Sequence, residues 1–545
     1  MEALTIEQFN FNKDEVSLLS STRYKNFPIV YILHNKKLSK PKAYIGQSVQ
    51  VRNRLNNHLS DKEKRNLDQA LVIAHDHFNQ SATYNIETKL INYFIADQKY
   101  EVINKSQITQ SLTHNYYDKP KYDRDIFQNI WSSLRTKGLV NQTVEEIENK
   151  DIFKLSPYKE LSESQIELKN EILKFCEENI HTDKKAVFFI KGDAGTGKSV
   201  VLSSTINTIQ DLTKEASSKL YKTENYLLVN HNEMLKTYRT IAKSLPNLKQ
   251  KNFDKPTPFV NKSKAGKINA DITLVDEGHL LLSRPDNFNY FKENNHLEEI
   301  IKYSKVTVVV FDERQFLKLK SFWDENLLNS FSKNMTTKTF ELTDQFRIQA
   351  NDKIVEWIDH FVNKEVLDIP DSSDNYELKV FENANDMYEE IKNKNEEFGL
   401  SRVVSTFDYE HKKDGQDYFI KEPGFKLPWN RTHYEKTWAE EPLTVNEVGS
   451  IYTIQGFDLN YVGVILGPSV SYNEETEQLE IIAKNYRDSE AFRNISTGTQ
   501  HYELSNAKEQ IILNSINVLM KRGVKGLYIY AHDEKLKKVL LKRKG

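Results

Sequence analysis

Ala186-Val-Phe-Phe-Ile190-Lys-Gly192-Asp-Ala-Gly195-Thr196-Gly197-Lys198-Ser199 is the stretch that decides the fold. An unbroken apolar run of strand length passes directly into a glycine-rich turn fitting GxxxxGK[ST], and residues 200–209 then carry the pattern of a helix. Glycines let backbone N–H groups turn inward around phosphate oxygens, Lys198 reaches the β and γ oxygens, and Ser199 offers its hydroxyl to Mg²⁺. The start of the helix adds its own attraction for an anion. A glycine turn that binds nothing would leave this strand, loop and helix order unexplained.

Outward from that loop, apolar runs of the same kind recur at 226–229, 272–275, 306–311, 462–466 and 526–530, each followed by an amphipathic stretch. Strands that are apolar on both faces and alternate with helices predict parallel sheets covered on each side, an α/β fold. The run at 272–275 ends in Asp276-Glu277-Gly-His279. The first carboxylate can hold Mg²⁺ through water and the second can orient an attacking water. The run at 306–311 ends in Asp312-Glu-Arg-Gln315, placing a glutamine where it can sense a γ-phosphate.

These motifs, in this order, resemble superfamily 1 helicases and in particular the bacterial Schlafen-like DNA/RNA helicase group, from about residue 161 to the C-terminus. The resemblance implies that Gln165 recognises adenine and that Arg347, in Leu342-Thr-Asp-Gln-Phe-Arg347, touches phosphate. It also implies that Gln455 and Gly456, in Tyr452-Thr-Ile-Gln-Gly-Phe-Asp458, belong to the nucleotide site. Arg522, in Leu519-Met-Lys-Arg522-Gly523, would be an arginine finger supplied by a second lobe. Two RecA-like lobes are expected, at 161–335 and 336–545, with ATP held mainly by the first and an insertion in the second near 408–442. Two residues depart from the pattern. Phe311 stands where the third motif usually has glycine, and Lys521 where the last usually has a small hydroxyl residue. Within the insertion, residues 426–438 interleave Trp429, Tyr434 and Trp438 with cations, a pattern that serves either base stacking or a buried core.

Ahead of the lobes, residues 24–105 read as a separate small domain, with 106–160 as a connecting segment. Runs at 28–33 and 43–46 look like a hairpin. Val51, Leu55 and Leu59 mark one helix face, with Arg54 and His58 one turn apart on another. Val30-Tyr31, Tyr44-Ile45-Gly46, Arg54, His58, Glu87 and Asn104 together resemble the GIY-YIG endonuclease family, although Ile29-Val30 replaces the first Gly and Ile of its name. The resemblance implies metal-dependent phosphodiester cleavage. Glu87 would bind Mg²⁺ or Mn²⁺, Arg54 neutralise phosphorane charge, Tyr31 or Tyr44 orient or deprotonate water, and His58 assist proton transfer.

Bulk properties agree with a multidomain globular protein. At 545 residues, 38% hydrophobic and 28% charged, the chain is long enough for two or three cores. The net charge of −2 announces no global affinity for polyanions, so nucleic acid must be met by local patches. One cysteine, Cys176, excludes an internal disulfide framework and a cysteine zinc cage. The start shows no signal-peptide pattern and no run reaches the roughly 20 apolar residues of a membrane span. A cytoplasmic location is expected. The whole reads as an ATP-dependent nuclease-helicase acting on DNA, single-stranded or forked, with RNA as the alternative substrate. By analogy its setting is bacterial anti-phage defence; the alternatives are DNA repair, or an ATP-switched nucleic-acid sensor or clamp that does not cut.

Overall fold

The structure is a computed structural model and describes residues 4–19, 24, 26–35, 41–104, 116–192, 196–245, 247–283, 285–286, 290–311, 335–342, 352–373, 375–412, 414–431, 434, 437–454, 457–488, 491–492 and 501–543. The side chains of 352 and 501–505 are outside that description. Three sheets of five or six strands organise it.

The first is a five-stranded sheet in the order β1-β4-β2-β3-β5, formed by Thr5–Asn10, Ile29–His34, Lys42–Ser48, Gln69–Ala74 and Glu101–Val102, numbered in chain order. The hairpin read at 28–33 and 43–46 is β2 against β3, antiparallel, with Tyr31 directly opposite Gly46. β1 pairs with β4, so the sheet begins ahead of residue 24. Helix Gln80–Asp97 lies across it with residues buried all round its axis, among them Ile86, Leu90, Asn92, Tyr93 and Phe94. A helix with so little polar face must be covered on both sides.

The connecting segment supplies that second cover. Helices Phe127–Thr136, Val144–Glu148 and Asp151–Lys154 pack on Gln80–Asp97; Trp131 is fully buried against Tyr93, Phe94 and Phe127 and its indole donates to Gln142 O at 2.9 Å. Asp97 accepts from the backbone N–H groups of Asn141 and Gln142 at 2.9 and 3.0 Å. One continuous apolar core then runs from Ile32 and Ile45 through Trp131 and Tyr158 into Phe188 and Ile206 of the next layer. Residues 116–161 are therefore a packed wall, and the small domain is built onto the first lobe.

That lobe holds a six-stranded, all-parallel sheet in the order β11-β6-β10-β9-β7-β8. Its strands are β6 Ala186–Lys191, β7 Asn225–Val229, β8 Phe253–Asp254, β9 Ala270–Asp276, β10 Ser304–Phe311 and β11 Thr336–Glu341. β11 pairs with β6, so the first lobe continues past the expected boundary at 335. The second lobe is a five-stranded parallel sheet, β12-β16-β15-β13-β14, from Glu377–Val380 (β12), Arg402–Ser405 (β13), Val448–Gly449 (β14), Leu459–Leu466 (β15) and Gly523–Ala531 (β16). Its apolar core is separate. Among the described residues, no helix is long and apolar enough to cross a membrane.

The shared core makes a thermal prediction. Trp131→Ala should cost about 3–5 kcal/mol, the usual range for a buried aromatic cut to alanine. Calorimetry with limited proteolysis should show the small domain and first lobe losing protection together while the second lobe's transition stays in place; a shift confined to residues 116–161 would refute a common core.

Candidate functional site

The nucleotide loop springs from β6 and ends at helix Lys198–Leu212, as the sequence predicts for a strand, turn and helix. Gly197 has φ +79°, the left-handed region, and a Cβ there would lie 2.3 Å from Gln165 Nε2, so only glycine serves. A Cβ at Gly192 would lie 2.6 Å from Leu342 O, which brings the entrance to the 342–347 motif against the loop. Lys198 donates to Gly192 O at 2.6 Å, and its ammonium is 3.4 Å from Thr196 Oγ1. Ser199 donates to Asp276 Oδ1 at 3.2 Å, so the two oxygens expected at Mg²⁺ meet at the end of β9. This pair of adjacent hard oxygens fits the ion.

Burial and the neighbouring Glu277 charge push the Asp276 pKa up, opposed by donation from Tyr238 (2.6 Å to Oδ2) and Ser199. Tyr238, on helix Asn232–Ser244, is a member of the site that the sequence reading missed; it also donates to Ser199 O at 3.3 Å. No motif marks it, because it arrives from the helix after β7. Glu277 has φ +52°, an uncommon geometry for a non-glycine residue that costs about 1–3 kcal/mol. Its carboxylate lies 3.1 Å from His279 Nε2. Phe311, in place of the usual glycine, is buried over Gly278, whose added Cβ would lie 3.0 Å from the ring.

Gln165 caps its own helix, Glu163–Asn179, in a reciprocal box with Ser162, and its amide Nε2 donates to Thr196 O at 3.0 Å. The structure therefore places Gln165 on the phosphate loop's backbone. Arg522 is fully buried in the second lobe; it donates to Phe457 O at 3.2 Å and lies 4.0 Å from Asp458. The Phe457 ring in turn meets His231 of the first lobe at 6.2 Å, so Arg522 is held next to the junction of the lobes. Lys521 donates to Asp359 Oδ1 at 2.6 Å, an interior tie that a small hydroxyl residue could not make. Gly195, Gln315, Arg347, Gln455 and Gly456 lie outside the described residues.

Of the two uses open to the 426–438 stretch, the structure shows packing. Trp429 and Trp438 are buried in the second lobe's core, Trp438 against Gly449, while Arg431 pairs with Asp417 and Glu447. Neither indole face is available to a base.

In the small domain, Tyr31, Tyr44, Arg54, His58 and Glu87 converge. Tyr31 Oη and His58 Nε2 are 2.8 Å apart, and the Tyr44 ring meets His58 edge-on at 5.0 Å. Gly46 makes room: a Cβ there would lie 2.3 Å from Tyr31 Oη. On helix Val51–Leu59 the inward stripe is Val51, Leu55 and His58, so His58 takes the place expected for Leu59 and Arg54 stays at the rim. The Arg54 guanidinium reaches both tyrosine hydroxyls. Burial raises the Tyr31 and Tyr44 pKa values, an effect Arg54 opposes. Burial, then the Lys64 and Arg54 charges, lower His58 to about 4. Lys64, which the sequence reading did not select, stands 4.3 Å above the Tyr44 ring. Burial pushes Glu87 up to about 8, against the pull of Arg54. Asn104 is a strap: its side chain takes the Ile45 N–H at 3.1 Å and gives to Ile45 O at 2.7 Å. Among the described residues no group of three or more His, Cys, Asp or Glu is arranged to hold a metal, so Glu87 would share an ion with phosphate and water.

Residues 185–533 match the family described as Schlafen group 3, DNA/RNA helicase domain. The uncharacterized protein YPL245W of Saccharomyces cerevisiae is 38% identical over 417 residues, spanning 70% of this chain and 90% of its own. Among solved structures, the Pif1 helicase of Candida albicans aligns at 12% identity and a TM-score of 0.29, over 70% of this chain and 98% of that one. Domain III of the Thermotoga maritima replication initiation protein DnaA aligns at 15% identity and a TM-score of 0.20, over 38% and 80%. With its phosphate loop, paired carboxylates and second parallel lobe all inside the matched region, the chain belongs to the Schlafen group 3 DNA/RNA helicase family.

Proposed function

We propose that this helicase-family protein is an ATP-dependent nuclease-helicase that acts on DNA, hydrolysing ATP at the first lobe and cutting phosphodiesters in the small domain. The observation that carries the second half is the convergence of Tyr31, Tyr44, Arg54, His58 and Glu87, brought from two strands and two helices into one cleft. Five residues of nuclease-compatible chemistry gather there, and the exposed Arg54 at the rim offers a cation to a polyanion, while Lys64 lies over the Tyr44 ring and pairs with Asp61.

At the nucleotide site, Lys198 and the loop N–H groups would hold phosphate, Ser199 and Asp276 would hold Mg²⁺, and Glu277 would orient the attacking water. Arg347 and Arg522 answer the charge that develops when the lobes close. In the cleft, the raised Tyr31 pKa makes a standing tyrosinate costly, so the base works as a relay. Water gives its proton to Tyr31 Oη as the tyrosine proton passes to neutral His58 Nε2. The new hydroxide attacks phosphorus, the P–O bond to the leaving strand breaks, and solvent protonates the leaving oxygen. Arg54 steadies the phosphorane. A divalent ion on Glu87 would polarise the phosphate when bound.

We place the activity in defence against invading DNA, from the pairing of cutter and motor on one chain.

Lys198→Ala should lower DNA-stimulated ATPase by about 100-fold or more. Glu87→Gln should lower plasmid nicking with Mg²⁺ or Mn²⁺ by a similar ~100-fold and leave the ATPase intact. Wild-type protein that binds DNA and hydrolyses ATP but nicks with neither ion is instead a sensor or clamp. Matched RNA and DNA strands decide the substrate.

Nicking should also rise with pH. Below about 8 the Glu87 carboxyl keeps its proton and cannot ligate, whereas above that it is free to bind the ion. His58 is already neutral across this range. A rate profile that is flat or falls through pH 7 to 9 at fixed low metal, roughly where the carboxyl titrates, would contradict the role given to Glu87.

A further inference from the structure

We infer that Tyr158 is a positioning residue through which nucleotide in the first lobe sets the geometry of the cleavage cleft. The consequence for cutting rests on the nuclease reading above; the coupling itself does not.

Tyr158 sits at the end of the connecting wall, buried, and its hydroxyl donates to Asn104 O at 2.9 Å. Asn104 is the strap that holds both the N–H and the C=O of Ile45. Ile45 lies between Tyr44 and Gly46, so fixing its backbone fixes the Tyr44 ring and the gap that Tyr31 fills. The main chain of Tyr158 is clamped as well. Its carbonyl accepts from Asn92 at 2.6 Å, and Ser156 donates to the same Asn92 side chain at 2.6 Å. Asn92 rides the helix that carries Glu87.

On its other side the Tyr158 hydroxyl faces the nucleotide machinery. Tyr158 shares one buried core with Ile206, and the Asn207 amide lies beside its hydroxyl. Ile206 and Asn207 both belong to the helix that begins at Lys198. Asn207 is nine residues from Lys198, about 14 Å along a stiff rod. A tilt of that helix when phosphate seats at its N-terminus must displace Asn207 against a buried hydroxyl, which cannot give up its partner to water.

The same wall is fastened to the second lobe. Asn460 donates to Asn149 at 3.0 Å, Asn149 to Phe398 O at 3.1 Å, Lys154 to Asp458 O at 3.0 Å, and the Asp151 N–H to Glu440 at 2.9 Å. Motion of that lobe therefore loads the segment that ends in Tyr158. Core packing of Tyr158 with Ile206, then the hydrogen bonds from Tyr158 to Asn104 and from Asn104 to Ile45, connect the phosphate-loop helix to the strand beneath the cleft, so a nucleotide-dependent shift of that helix has a route to it.

The experiment is hydrogen exchange on the full chain, with and without a non-hydrolysable ATP analogue and Mg²⁺, read at Lys42–Ser48. The Ile45 N–H, bonded to Asn104, is the reporter. Analogue should slow exchange there by about 10-fold in wild type and by less than about 2-fold in Tyr158→Phe, with analogue affinity unchanged. Asn207→Ala should reproduce the loss from the nucleotide side while leaving the ring in place. Equal protection in wild type and Tyr158→Phe, or none in wild type, overturns the inference. Cleavage is not the readout, so a protein that never nicks would sink the nuclease reading and leave this result standing or falling on its own.

Discussion

Helix Gln80–Asp97 has almost no face to offer to water, and the rest of the molecule is arranged around that constraint. One side is covered by the small sheet. The other must be covered by something, and residues 116–161 do it with Trp131, Phe127 and Ile147 before running on into the first lobe's core. Burial of that many apolar side chains is the largest stabilising term available to the chain, so the small domain and the first lobe are cohesive rather than tethered. Glu87 and Asn92 ride on this helix, and their positions follow from it.

The nucleotide site and the small-domain cleft share an electrostatic design. Each has a carboxyl group whose pKa is raised by burial: Asp276 at the end of β9, beside Ser199 of the phosphate loop, and Glu87 across the cleft from Arg54. A desolvated acid stores a demand for positive charge, which a divalent ion bridging it to phosphate would satisfy. Tyrosine hydroxyls stand in both places. Tyr238 donates to Asp276, while the buried Tyr31 hydroxyl is hydrogen-bonded to His58.

The second lobe contributes differently. Its own core is closed by Trp429 and Trp438, which fill the insertion, and by ties such as Lys521 to Asp359 that the family pattern does not require. Arg522 is held beside Phe457 and Asp458, where the lobe meets both the first lobe and the wall. An arginine buried in that way keeps its guanidinium aimed, at the cost of the freedom a surface arginine would have.

Much of this was legible in the residue order. Strand, phosphate loop, helix and the Asp276-Glu277 turn are local, since each depends on residues within a few positions of one another, and apolar periodicity announces the parallel sheets. The hairpin of Tyr31 and Gly46 was legible for the same reason. By itself the sequence determined which groups capable of chemistry exist and on which kind of element each rides. Only the tertiary structure decided that β1 joins the small sheet, that β11 closes the first lobe, and that His58 turns inward. It alone decided that the tryptophans of the insertion are buried, that Tyr238 joins the nucleotide site and that Tyr158 is bonded to Asn104 at the end of the wall. Those outcomes depend on contacts between residues far apart in the chain, where burial and steric fit, rather than local propensity, choose the partner.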